Sequence, residues 1–181
     1  MERDELVELV RSRLDVNLFR HSLAVEAVMK GIARKFNKDE EVFGIAGLVH
    51  DIDLDTTKDK PQLHSIVGSE FLKSIGIRGD IVEAVKKHNP SHNLKRETLL
   101  EKALYAVDPL TGLITACALV KGKKLDNVDK AFVLKRFKEK RFAEGADREQ
   151  IASCIEFGLS LEEFIDIGLT QMKAIKEQLG L

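Results

Sequence analysis

The chain has 181 residues, 44% of them hydrophobic and 33% charged, with a formal net charge of -1; this suits one folded domain with a real core and excludes a disordered or fibrous chain. The charge balance gives no support to a general affinity for nucleic acid or for an acidic membrane. No run approaches the roughly eighteen apolar residues of a membrane span, and MERDELVELV is too acidic for a secretory signal, so a cytoplasmic location is expected.

Taken from the N-terminus, the periodicity is helical nearly everywhere. Leu18, His21, Val25, Val28, Ile32 and Phe36 recur at spacings of three or four and form one stripe that includes His21. Asn37 with Glu40 resembles a helix start, as do Asp80 with Glu83, Asp147 with Gln150 and Ser160 with Glu163, because each pairs a capping side chain with an acceptor three residues on. EEVFGIAGLVH is apolar on most sides and reads as a central buried helix, with Gly44 and Gly47 permitting close packing. Pro61 suits a first helical turn, Pro90 follows a helix ending at His88, and Pro109 falls where a helix should stop or kink. No segment shows sustained strand alternation. The expectation is an all-α fold with helices near 3–13, 17–36, 39–50, 61–75, 80–88, 97–107, 109–120, 127–138, 147–157 and 160–179. The KGKK turn at 121–124 is the best internal boundary, with the residues beyond it forming a helical extension on the same core. Cys117 and Cys154 lie far apart in apolar helical patterns and read as buried thiols rather than a disulfide.

All five histidines fall between positions 21 and 92, four of them where a helix faces inward or ends against the core. Singly, each is best read as a hydrogen-bonded core residue. Together they are harder to bury. His21, His50, Asp51, His64, His88 and Asp108 in one small core would compete for few partners, and a divalent cation satisfies them at once. Imidazole and carboxylate donors without thiolate fit Fe, Mn, Co, Ni or Zn rather than Ca, with Mg also admitted. Six ligands exceed what one catalytic ion needs, so a second ion follows, and Asp51 is the natural bridge between metals about 3.5–4 Å apart.

The order His21, His50-Asp51, Asp108 resembles the H…HD…D pattern of the HD superfamily of metal-dependent phosphohydrolases. FRHSLAVE, GLVHDID, HSIVG and AVKKHN look like the segments of HD proteins, of the HDIG type, that add two histidines and hold a two-metal centre; the bacterial symmetric dinucleoside-tetraphosphate hydrolases are one such group. ALYAVDPLTGLITACALV and FKEKRFAEGADREQI look still more like a bacterial and archaeal family of predicted HD hydrolases, a resemblance covering nearly the whole chain. It implies an HD helical domain over 1–120 and a C-terminal extension over 121–181. It also implies His21, His50, Asp51 and Asp108 as ligands of one ion, and His64 and His88, with Asp51 bridging, as ligands of the other. One departure stands out: where many relatives follow the HD pair with a small residue and then a phosphate-binding lysine, this chain has HDIDLDTTK.

The implied activity is hydrolysis of a phosphoester or phosphoanhydride in a nucleotide or related small phosphorylated molecule, by attack of a metal-activated water. Asp51 and Asp108 would hold the metals and orient the water, and Asp53 is a further acid or base candidate or a turn cap. Arg20 and Arg96, then Lys58, Lys86 and Lys87, flank the ligands and are candidate phosphate contacts; His92 is a candidate substrate contact. The basic run KAFVLKRFKEKRF reads as a helix with phenylalanines inward rather than a nucleic-acid surface. Two alternatives carry the same sequence features: an HD-fold di-iron oxygenase and a non-catalytic nucleotide-sensing module. Oligomeric state is not encoded in any of these patterns.

Overall fold

The computed structural model describes residues 1–181 and is all-α. In chain order the helices are α1 (Arg3–Arg13), α2 (Val16–Lys35), α3 (Glu40–Val49), α4 (Leu54–Thr57), α5 (Ile66–Ser74), α6 (Gly79–His88), α7 (Leu99–Val120), α8 (Lys130–Lys138), α9 (Arg148–Ala152), α10 (Leu161–Ala174) and α11 (Lys176–Leu179). The long helices α2 and α7 form the frame, with α3 and α6 packed beside them and α10 laid across both. One continuous cluster of buried apolar side chains runs from Leu6 to Leu179, so the helices after Val120 share the core of those before it. Cys117 and Cys154 are buried, unpaired thiols, and burial raises both to about 11, well away from reactive thiolates.

Gly47 explains how α3 approaches α2 so closely. A Cβ there would lie 2.8 Å from the backbone nitrogen of Glu26, whereas a Cβ at Gly44 would meet only the flexible stem of Lys30. Glu26, against which Gly47 lies, is itself buried and held by Arg3 at 2.5 and 2.9 Å and by Lys30 at 2.6 Å.

Four expectations change. Pro109 does not stop a helix: residues 99–120 form one helix with Pro109 buried inside it. Pro109 lacks the N–H that would satisfy the carbonyl of Tyr105, and the buried side chain of Gln150 donates to that carbonyl instead, at 3.3 Å. The resulting α7 is long and apolar enough to cross a membrane by length and composition, which the sequence split into two helices had concealed; most of its apolar window is buried in the protein. Next, the helix expected from residue 61 begins at Ile66, because Ser65 adopts a left-handed φ of 70° that a continuing helix cannot contain. Third, α3 is capped by Asp39, whose carboxylate accepts from Glu41 N and Val42 N, while Asn37 is left-handed; Asp80 lies inside the first turn of α6 rather than capping it. Finally, the stretch 147–157 is a short helix running into a 3-10 turn at Ser153–Phe157, and 160–179 breaks at Ile175. The Ser160–Glu163 capping box forms, and Thr98–Glu101 makes another at the start of α7.

Candidate metal centre

Four helices and one turn deliver the six candidate ligands to one place. His21 comes from the inward face of α2, His50 and Asp51 from the end of α3, His64 from the turn before α5, His88 from the last residue of α6, and Asp108 from the middle of α7. Each of the four imidazoles is held in the same way. His50 Nδ1–H donates to the Gly47 carbonyl at 2.8 Å, and His88 Nδ1–H to the Val85 carbonyl at 2.6 Å. Both acceptors are the residue three earlier, so a carbonyl near a helix end orients the ring. His64 Nδ1–H donates to Asp53 Oδ1 at 2.9 Å, and His21 Nδ1–H to Thr111 Oγ1 at 3.1 Å, while Thr111 donates onward to the Asp108 carbonyl at 2.9 Å. With Nδ1 engaged on the outside, all four Nε2 lone pairs turn inward.

What they turn toward is Asp51, buried at 5% exposure, and Asp108 at the mouth. Asp51 Oδ2 lies 3.2 Å from His50 Nε2 and 3.7 Å from His21 Nε2; Oδ1 lies 3.3 Å from His64 Nε2 and 3.5 Å from His88 Nε2. Its two oxygens therefore divide the histidines into two pairs. Asp108 Oδ1 sits 3.0 Å from His21 Nε2 and 3.8 Å from His50 Nε2.

Such an arrangement requires positive charge at its centre. Protons provide some of it: burial alone would lower His50 and His64, but the nearby charges of Asp51 and Asp108 for His50, and the contacts of His64 with Asp51 and Asp53, outweigh it, raising His50 well above its usual value and His64 to about 9. For Asp51 and Asp108 burial pushes upward, and the surrounding imidazoles outweigh that and hold both below the ordinary carboxylate range. The proton solution is incomplete. His50 Nε2 and His88 Nε2 are buried without a hydrogen-bond partner, a costly state for a ring nitrogen whether or not it carries a proton, and one that a bound cation would relieve. The donors fit a divalent ion: His21, His50 and Asp108 on one side, and His50, Asp51 and His88 on the other, each offer ligand atoms within 4.8 Å of one another.

Asp53 has a different position from the acid or base candidate. It is buried at 2% exposure, with Oδ1 accepting from His64 and Oδ2 from the backbone N–H groups of Ser65 at 2.9 Å and Gly68 at 2.7 Å. Both oxygens are committed, so Asp53 orients His64 and ties the start of α5 to the HD turn. Gly68 allows it, since a Cβ there would lie 3.0 Å from the carboxylate carbon.

Among the candidate phosphate contacts, the structure brings only Arg20 to a cavity that His21 also lines. Lys87 pairs with buried Glu101 at 3.0 Å, and Arg96 stacks 3.6 Å over the Tyr105 ring while bonding the Leu94 carbonyl. Lys58 is largely exposed, 3.7 Å from Asp55, and Lys86 carries no ion pair. His92 donates from Nε2 to the His64 carbonyl at 2.8 Å and, beside Asn89, braces the turn that carries His64. The sequence reading missed Thr111, Gln150 and Arg148. Thr111 sits three residues after Asp108, a spacing that was available as a signal. Arg148, whose guanidinium reaches the carbonyls of Phe137, Phe142, Ala143 and Ala146, shapes a loop whose Ala143, Gly145 and Ala146 wall the cavity over His21 and Asp108. No local pattern announces it.

Comparison with known proteins agrees with this geometry. The HD domain profile matches residues 18–114, the span that runs from before His21 to beyond Asp108. Among curated proteins, Ribonuclease Y of Fusobacterium nucleatum is 30% identical over 98 residues, covering 54% of this chain and 19% of that protein. Ribonuclease Y of Lawsonia intracellularis is 30% identical over 102 residues, and that of Oleidesulfovibrio alaskensis 28% over 102, each covering 56% of this chain and 19% of the relative. The chain thus spans about a fifth of the length of these relatives. No solved structure matches it. With more than half of its length under the family profile, and the histidines and aspartates of that pattern gathered at one centre, this chain belongs to the HD domain family.

Proposed function

We propose that this protein is a metal-dependent phosphohydrolase that cleaves a phosphoester or phosphoanhydride bond of a nucleotide or a related small phosphorylated molecule. The observation that carries the reading is Asp51, whose oxygens each face a different pair of imidazole Nε2 atoms, two of which have no partner of their own. His21, His50, Asp51 and Asp108 would hold one divalent ion, and His64, His88 and Asp51 a second. Bound there, such ions supply Lewis-acid stabilisation of phosphoryl oxygens and bring the pKa of water toward neutrality.

The chain's own groups do the rest. Thr111, Asp53 and the Gly47 and Val85 carbonyls fix the four imidazole tautomers before substrate arrives, so little reorganisation accompanies the reaction. Asp108 Oδ2 makes no hydrogen bond within the protein and belongs to a residue lining the cavity; it is placed to accept a proton from an attacking water. Arg20, next to His21 in sequence, lines the adjoining cavity, which suits it to a substrate phosphate. Membership of the HD family and similarity to part of proteins named Ribonuclease Y support this reading, and we include phosphodiesters alongside nucleotide anhydrides among the substrates to test. The deciding experiment measures metal content and then screens dinucleotides, dinucleoside polyphosphates, nucleotides and simple phosphomonoesters with Mn, Fe, Co, Ni, Zn and Mg. One or two ions per chain and release of phosphate or nucleotide are expected, with both lost in His50→Ala and Asp51→Ala. Turnover of none of them, aerobically or anaerobically, rejects the reading.

A further inference from the structure

Gly112 is a glycine in the interior of the 22-residue helix α7, where a side chain would favour the helix. Close packing does not account for it: a Cβ at this position would meet nothing within 4 Å. Gly112 lines two cavities at once. One, of about 330 Å³, contains His21 and Asp108; the other, of about 420 Å³, also contains His21. The two share this glycine and His21 in their walls.

The larger cavity is built by matching stripes. Helix α2 contributes Arg20, His21 and Ala24, and α7 contributes Gly112, Ala116 and Leu119. The small residues Ala24, Gly112 and Ala116 leave the space between the two helices unfilled here, and Leu119, 49% exposed, adds an apolar wall. At the rim stand two cations, Arg20 and Lys123, neither of which has a carboxylate partner, whereas Lys58 and Lys87 do. Arg20 lies flat against Gly180, where a Cβ would come within 3.1 Å of its guanidinium; Gly180, at φ 71°, leaves that space open. The volume falls in the range of small-molecule sites, about 300–1,000 Å³.

We infer that this cavity is a second subsite, which takes a nucleoside joined through phosphate to the group at the metal centre and holds that nucleoside's own further phosphate with Arg20 and Lys123. The reactive phosphate sits over Asp108, the sugar crosses Gly112, the base lies on Ala116 and Leu119, and the second phosphate meets the two rim cations. The substrate class is then a phosphodiester-linked nucleotide pair rather than a simple phosphomonoester. This deepens the hydrolase reading and rests on it.

The test measures binding separately from turnover. With Mn²⁺ present, a 5′-phosphorylated adenosine dinucleotide with a hydrolysis-resistant phosphorothioate link is titrated calorimetrically, beside adenosine 5′-monophosphate. The dinucleotide should bind more tightly than the monophosphate, and Arg20→Ala and Lys123→Ala should each weaken it about tenfold, the effect of losing one charge-assisted contact. Gly112→Leu should abolish the dinucleotide's advantage without lowering Tm, since the added side chain fills empty space in a helix; an effect of misfolding would lower Tm. Equal affinity for both probes, or dinucleotide binding unchanged in all three variants, overturns the inference. Hydrolysis of dinucleotides unaffected by these variants rejects the subsite and keeps the hydrolase. Binding that follows the variants while no substrate is ever cleaved keeps the subsite as a nucleotide site and rejects the hydrolase.

Discussion

Asp53 shows how much one side chain decides at the residue scale. In Asp53→Asn the amide must present either its NH₂ to the Ser65 and Gly68 N–H donors or its NH₂ to His64 Nδ1, and the second choice shifts the His64 proton to Nε2, the atom that faces Asp51. The expected result is loss of one of two bound ions by elemental analysis with helicity retained; unchanged stoichiometry would show that His64 is not a ligand. Thr111 works similarly on His21, and Thr111→Val should weaken metal binding about 10- to 100-fold, in line with other partners of ligating histidines. The same cluster sets a pH dependence for the metal-free protein. His64 titrates near 9 when folded against 6.5 in the unfolded chain, so its contribution is complete below about 6.5 and is lost as pH rises toward 9. Asp51 and Asp108 are depressed below 3.8, so theirs is present above that value and is lost as pH falls through their folded values. Denaturant titrations in chelator should find the cluster most stabilising between about pH 4 and 6.5. With metal added, the upper limb should reverse, because the ion takes the place of the proton.

At the scale of the element, α7 depends on a residue 45 positions away. Gln150 replaces the donor that Pro109 lacks, and Gln150→Leu should cost about 1–3 kcal/mol by leaving the Tyr105 carbonyl buried and unpaired. Pro109→Ala restores the N–H, so the same Gln150→Leu change in that background should cost clearly less in a double-mutant cycle; equal costs would separate Gln150 from the proline. The sequence shows Pro109 and the turn-forming Asp147 with Gln150, but not that the two meet. A proline is read locally as a break, and only a partner from another helix cancels that reading. The start of α5 was hidden for a related reason: Ser65 is left-handed because Asp53 holds its N–H and that of Gly68, a contact 12 and 15 residues long.

For the whole molecule, the cluster of candidate ligands is precise only if α3 sits on α2 at backbone distance. Gly47→Ala should therefore destabilise by about 1–3 kcal/mol and weaken metal binding, since neither backbone can yield, whereas Gly44→Ala should be tolerated because only the stem of Lys30 must move. Thermal unfolding and metal titration of the two variants check the contrast; similar behaviour would mean that the close approach does not position His50. Much was legible in the sequence: helical period gave the all-α class, and His21, His50, Asp51, His64, His88 and Asp108 stood out because six polar groups on inward faces are too many for a core to satisfy without a cation. Local chemistry determines such things, since residue type and spacing fix a helix face and the donors on it. Which cations remain unpaired was decided only by tertiary structure. Lys87 and Arg96 look like phosphate ligands in the sequence, yet Glu101 and Tyr105 engage them, while Arg20 and Lys123 remain unpaired beside an empty-walled helix at Gly112. Charge is a property of a residue, but its availability depends on neighbours brought from elsewhere in the chain.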